Sequence, residues 1–144
     1  MIIEIRGTGS HNKGSEMMLL TILEQLKDQN IKFVITPQLG SCEYAFYSRL
    51  GLYPKIWFRY KGFQFGKFGK FIPKKLRDLY GMVIDEEIDM ILDASGFAYS
   101  SHWGDYPTKI MAEESKRWKK MGKKIILMPQ AFGPFENDTI KQYM

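Results

Sequence analysis

A single cysteine, Cys42, stands in the 144 residues, which excludes an intrachain disulfide and fits a reducing compartment. Histidine is nearly as scarce: His11 and His102 are the only two, and no cluster of cysteine and histidine has zinc-site spacing, so no metal site is expected. Long hydrophobic runs are missing as well. The opening Met1-Ile2-Ile3-Glu4-Ile5-Arg6 carries charge at its fourth residue, which leaves no signal-peptide core, and nowhere do ~18 apolar residues follow one another. No transmembrane segment is expected, and the expected location is the cytoplasm, including the inner membrane surface. Acidic residues are outnumbered, 16 against 21 lysines and arginines, giving a net charge of +5. That sign favours an anionic partner, whether phosphate ester, acidic glycan, nucleic acid or membrane surface.

With 44% apolar and 15% aromatic residues, the chain can bury one core, and one Rossmann-like domain over 1–144 is expected. Ile2, Ile3 and Ile5 form a β-rich run that stops at Gly7-Thr8-Gly9. After Gly14, Met18, Leu19, Ile22, Leu23 and Leu26 recur at spacings of three and four, the pattern of a helix lying on a sheet. The polar stretch Asp28-Gln29-Asn30 ends it. Lys32 to Thr36 reads as a strand closed by Pro37, and Glu43 to Leu50 as a short helix ending at Gly51.

From 53 to 77 the periodicity dissolves into a basic aromatic insertion punctuated by Gly62, Gly66 and Gly69. Asp89 to Asp93 reads as a buried strand tipped by Asp93, Asp105 to Met121 as a helix ended by Gly122, and Lys124 to Met128 as a strand stopped by Pro129. Glu136 to Met144 opens a further helix with nothing to finish it, so the sequence reads as cut short within a domain. Strands alternating with helices predict an α/β fold, a parallel sheet flanked by helices, with ligands gathering at the C-terminal strand ends.

Several candidate residues fall at that edge. The loop Gly7 to Glu16, holding Gly9, Asn12, Lys13, Gly14 and Glu16, lies between strand and helix, where free N–H groups can face an anion or a sugar hydroxyl. It lacks G-x-G-x-x-G spacing and reverses the Gly-Lys-Ser order of a P-loop. It reads equally as a tight turn capped by Ser15 or Asn12. Asp93 can accept a hydrogen bond from a sugar hydroxyl, serve as a base, or simply cap its turn. Past Ser95 and Gly96, the aromatic, hydroxyl and histidine side chains from Phe97 to Trp103, among them Tyr99 and His102, have the composition that stacks on and hydrogen-bonds sugars. His102 can titrate near neutral pH, though a lone histidine is more often structural. Gln130 and Gly133 follow the last strand at the same edge. The run Phe58 to Phe71 interleaves cations with aromatics, as single-strand nucleic-acid and membrane-surface binders do. A partly packed surface insertion is the favoured reading of it.

Three ordered blocks, Asn12-Lys13-Gly14-Ser15-Glu16-Met17-Met18-Leu19, Leu92-Asp93-Ala94-Ser95-Gly96-Phe97-Ala98-Tyr99 and Pro129-Gln130-Ala131-Phe132-Gly133-Pro134-Phe135, together resemble the polysaccharide pyruvyltransferase family. The resemblance implies a transferase that moves a pyruvyl group from phosphoenolpyruvate to two sugar hydroxyls, making a cyclic ketal and releasing phosphate, with no metal or nucleotide cofactor. It also implies the N-terminal lobe of a glycosyltransferase-B-like fold, the acceptor side of the cleft, with the donor-binding arginine and histidine mainly in a missing C-terminal lobe. On that reading Asp93 orients or deprotonates a sugar hydroxyl, and His102 is a further candidate for proton transfer. Gly9, Asn12, Lys13, Gly14, Glu16, Ser95, Gly96, Tyr99, Gln130 and Gly133 shape the pocket. The partners implied are a glycan of exopolysaccharide biosynthesis and phosphoenolpyruvate. Ser95-Gly96 stands where many members carry paired glycines. The alternative is a non-catalytic glycan- or anion-binding domain, and nucleic-acid binding is the least supported reading.

Overall fold

The computed structural model describes residues 1–10, 12–27, 29–36, 44–61, 63–136 and 138–143. His11 of the first loop, Asp28 of the polar exit, Pro37 as strand terminator, Cys42, Glu43 as helix start, Gly62 and Met144 lie outside the described residues.

The central strand, β1 (Ile2–Arg6), is buried on both faces, as a strand in the middle of a parallel sheet must be. Side chains alternate across the sheet. Ile3 and Ile5 therefore join Leu19 and Ile22 of helix α1 (Lys13–Leu26) in one core cluster. Ile2 packs on the opposite face against a cluster built on Trp118 of helix α4 (Asp105–Lys120). The α1 face follows the spacing in the sequence, with Leu19 and Ile22 buried and Met18, Leu23 and Leu26 packed around them. The helix begins at Lys13, earlier than the apolar pattern suggests, because Asn12 is the cap. Its Oδ1 accepts from the N–H groups of Gly14 at 2.9 Å and Ser15 at 3.4 Å, two of the donors a helix start leaves free.

Four further strands complete the sheet: β2 (Lys32–Ile35), β3 (Tyr53–Pro54), β6 (Met90–Asp93) and β7 (Lys124–Leu127). All pair in parallel, in the spatial order β3-β2-β1-β6-β7. The chain thus winds outward from β1 to one side, returns, and winds outward to the other. The reversal falls between β1 and β6, the switch point at which α/β sheets open a crevice. This is the α/β architecture of a Rossmann-like domain. Helix α2 (Tyr44–Arg49) ends near Gly51, whose φ is +70°. Helix α5 (Asp138–Lys141) is a single turn with Ile140 fully buried.

The stretch read as an insertion, 53–77, opens inside the sheet, since Tyr53–Pro54 is the edge strand paired with β2. Beyond it come a hairpin, β4 (Arg59–Tyr60) with β5 (Phe63–Gln64), a 3-10 helix over Phe65–Phe71 and helix α3 (Lys74–Leu79). Among the described residues no helix is long and apolar enough to cross a membrane.

Candidate functional site

Loops leaving the C-terminal ends of β1, β6 and β7 meet at the switch point. Arg6 is in register with Asp93, and Ala94 N–H donates to the Arg6 carbonyl at 2.9 Å. One step on, Gly7 takes φ +71°, and a Cβ there would stand 2.1 Å from Ser95 Oγ and 2.4 Å from its Cα. Only glycine allows the two loops to come this close. Ser15 reaches back to the same turn: its Oγ accepts from Gly9 N–H at 2.9 Å and donates to the Gly7 carbonyl at 3.3 Å. Lys13 pairs with Glu16 at 2.7 Å on the exposed first turn of α1.

Asp93 is 1% exposed and both its oxygens are engaged. Oδ1 accepts from Ser95 N–H at 3.0 Å and Oδ2 from the Tyr99 hydroxyl at 2.6 Å. Burial, and then the Asp93 charge and hydrogen bond, hold the Tyr99 phenol well above its ordinary value. It therefore stays a protonated donor at neutral pH. The loop after β6 is in turn zipped to the loop after β7: Ala131 N–H donates to Gly96 at 2.9 Å, Gly133 N–H to Tyr99 at 3.1 Å and Ser101 N–H to Pro134 at 2.9 Å. Phe132 stacks on Tyr99 at 6.1 Å. Both polar atoms of the Gln130 amide are buried without a hydrogen-bond partner among the described residues.

Beside these loops a cavity of about 160 Å³ opens over the ends of β1 and β2. Arg6, Thr8, Thr36, Trp57 and Tyr106 line it, together with Ile5, Gly7, Ile35 and Ile110. The Thr8 hydroxyl and one terminal guanidinium nitrogen of Arg6 are buried and make no hydrogen bond among the described residues. A buried charge network supports this wall. Glu4, fully buried, sits 2.8 Å from Lys55 and 3.6 Å from Arg6, and Thr36 donates to it at 2.5 Å. Lys55 also pairs with Asp85 at 2.7 Å, and Asp85 with Arg117. The Arg6 guanidinium lies 4.7 Å over the Trp118 ring. Burial pushes the Glu4 carboxyl up, but the Lys55 and Arg6 charges and the hydrogen bonds from Lys55 and Thr36 outweigh it and hold the group below its ordinary 4.5.

Of the residues singled out in the sequence, Asp93, Ser95, Gly96, Tyr99 and Gly133 are joined by direct hydrogen bonds or by the backbone bonds of adjoining loops, and Gln130 adjoins them. Gly9, Asn12, Gly14, Lys13 and Glu16 form the neighbouring turn and first helical turn. His102 stands exposed on the 3-10 turn Ser101–Trp103, outside the Asp93 cluster. Among the described residues no three side chains of His, Cys, Asp or Glu gather as a metal site. The cavity residues Arg6, Trp57 and Tyr106 did not stand out in the sequence, whereas Thr8 lies within the Gly7 to Glu16 loop that did. The position of Arg6 at the end of the first strand was the signal available for it.

A family model described as polysaccharide pyruvyl transferase matches residues 12–144. No curated protein and no solved structure matches the chain.

Proposed function

The chain belongs to the polysaccharide pyruvyl transferase family, and from that premise we propose that it supplies the acceptor side of an enzyme that transfers pyruvyl from phosphoenolpyruvate to a glycan. In this reaction two sugar oxygens bond to the enol carbon and the bond from that carbon to the phosphate oxygen breaks. One hydroxyl proton ends on the methylene, making a methyl group, and the other leaves on phosphate. The observation that carries the reading is the convergence of the Asn12, Asp93 and Gln130 loops at the switch point of the sheet.

In this reading Asp93 orients a sugar hydroxyl, which reaches the carboxylate by taking the place of the Tyr99 hydroxyl. The Gln130 amide, the Thr8 hydroxyl and the Arg6 guanidinium offer further hydrogen bonds, and Trp57 and Tyr106 offer rings for the sugar to lie against. His102 is the candidate for proton transfer. The cations that hold phosphoenolpyruvate belong in this proposal to a second, C-terminal lobe in a glycosyltransferase-B-like arrangement, and no metal or nucleotide cofactor takes part.

The test is phosphate release from phosphoenolpyruvate by the full natural protein with a panel of glycan acceptors. Acceptor-dependent release that drops by about a hundredfold or more in Asp93→Asn, with circular dichroism showing the variant still folded, is the expected result. No release with any acceptor overturns the transferase reading. The complete engagement of the Asp93 oxygens favours a second reading, a glycan- or anion-binding domain. It predicts saturable acceptor binding without turnover.

A further inference from the structure

The segment Phe58–Phe71 carries six aromatic side chains in one continuous surface. Tyr60 contacts Phe58, Phe58 contacts Phe65, Phe65 contacts Phe63 and Phe68, and Phe68 contacts Phe71, with ring centroids 4.8 to 6.5 Å apart. None is buried: exposure runs from 39% at Phe65 to 71% at Phe71. A patch of touching exposed rings is unusual on a protein surface and marks a place of contact.

The sequence explains the shape. A 3-10 helix has three residues per turn, so residues three apart eclipse. The triplet Phe-Gly-Lys, repeated through Phe65–Phe71, therefore sorts into rows. Phe65, Phe68 and Phe71 form one, and Lys67 with Lys70 another. The glycine row is the anchor: Gly69 is buried, and a Cβ on it would stand 3.0 Å from Cγ2 of both Ile56 and Ile84. With glycine held against the body, phenylalanine and lysine face outward. Charge follows the same plan, since no Asp or Glu occurs from Tyr53 to Arg77. The ammonium groups of Lys61 and Lys70 sit 5.5 and 5.2 Å over the Tyr60 and Phe71 rings, and Lys75 is exposed nearby in sequence.

We propose that this face docks the protein on an anionic phospholipid surface, with the phenyl rings entering the headgroup and acyl boundary and the lysines meeting lipid phosphates. A single-stranded nucleic acid fits less well, because stacking needs ring faces free along a groove. Here Phe63 and Phe65 meet edge to face at 68° and five of the six ring pairs of the patch involve phenylalanine alone. The docking does not depend on the transferase reading. Trp57 lines the cavity and the next residue, Phe58, begins the patch, so a docked molecule holds its cavity beside the bilayer.

Co-sedimentation of the full natural protein with vesicles tests this. Expected are binding to phosphatidylcholine vesicles containing phosphatidylglycerol, far weaker binding to phosphatidylcholine alone, and release by salt. The double variants Phe68→Ser/Phe71→Ser and Lys67→Glu/Lys70→Glu are each expected to lose roughly tenfold or more in affinity, with circular dichroism and unfolding midpoints matching the wild type. Equal binding to both vesicle types, wild-type affinity in the folded lysine variant, or tighter binding to an oligothymidylate than to anionic vesicles overturns the proposal.

Discussion

The C-terminal edge of the sheet and the Phe58–Phe71 surface are made from the same kinds of residue, glycines, aromatics and cations, and use them in opposite ways. At the sheet edge a glycine lets two polar loops touch, and an aromatic, Tyr99, is turned inward to donate to a buried carboxylate. The cations there are each paired with an acid, Arg6 and Lys55 with Glu4, and Lys55 and Arg117 with Asp85. On the outer surface a glycine lets a 3-10 helix sit flat, and its aromatics and lysines are exposed on a stretch whose sequence holds no acid. Paired charges, with a few buried polar atoms left open at Arg6, Thr8 and Gln130, mark a region organised for itself and for one small guest. Exposed rings and cations mark a region organised for a large partner.

Gly7→Ala attacks the first region where it is tightest. Its Cβ would meet backbone as well as side-chain atoms of Ser95, at a φ that side chains rarely adopt. A loss of about 4 kcal/mol or more is expected from strain and overlap combined, read from chemical denaturation.

Glu4→Gln should cost about 3 kcal/mol, because Lys55 and Arg6 lose a buried counter-charge. It also has a pH signature. The folded Glu4 carboxyl is held below its ordinary 4.5, so its contribution is complete above about that pH and is lost as pH falls through the lower folded value. Unfolding midpoints measured from neutral to acidic pH should show this component in the wild type and lack it in the variant. Tyr99→Phe removes one donor from Asp93 and should cost about 2 kcal/mol. If denaturation shows no loss, Asp93 does not depend on Tyr99.

How much of this was legible follows from which forces act locally. The strands at Ile2, Lys32, Met90 and Lys124 and the helices ending near Leu26 and Lys120 announce themselves through apolar period and glycine or proline stops. Asp93 was legible as a strand tip for the same reason. Tyr53–Pro54 was not read as a strand, because two residues carry no period and only pairing with β2 defines them. The burial of Lys55 was hidden too, since a lysine is buried only when distant partners meet it, and Glu4 and Asp85 lie 51 and 30 positions away in the chain. Glu4 at the start of the chain read merely as a charge that excludes a signal peptide. The Phe-Gly-Lys triplet escaped because strand and α-helix templates look for periods of 2 and 3.6, and its period is 3.

Gly69→Ala carries the comparison to its smallest and most discriminating effect. Unlike Gly7, Gly69 does not occupy the left-handed region, and its added Cβ would press on two isoleucine methyl groups at 3.0 Å rather than on backbone. Those side chains can yield by a few tenths of an ångström, so the cost should be about 1 kcal/mol and confined to the packing of the 3-10 helix. Hydrogen exchange should then quicken at the amides of Phe65–Phe71 while those of β1 and β6 keep their protection. A loss as large as that of Gly7→Ala, with protection falling across the sheet, would instead mean that the aromatic surface is bound into the core as firmly as the site is.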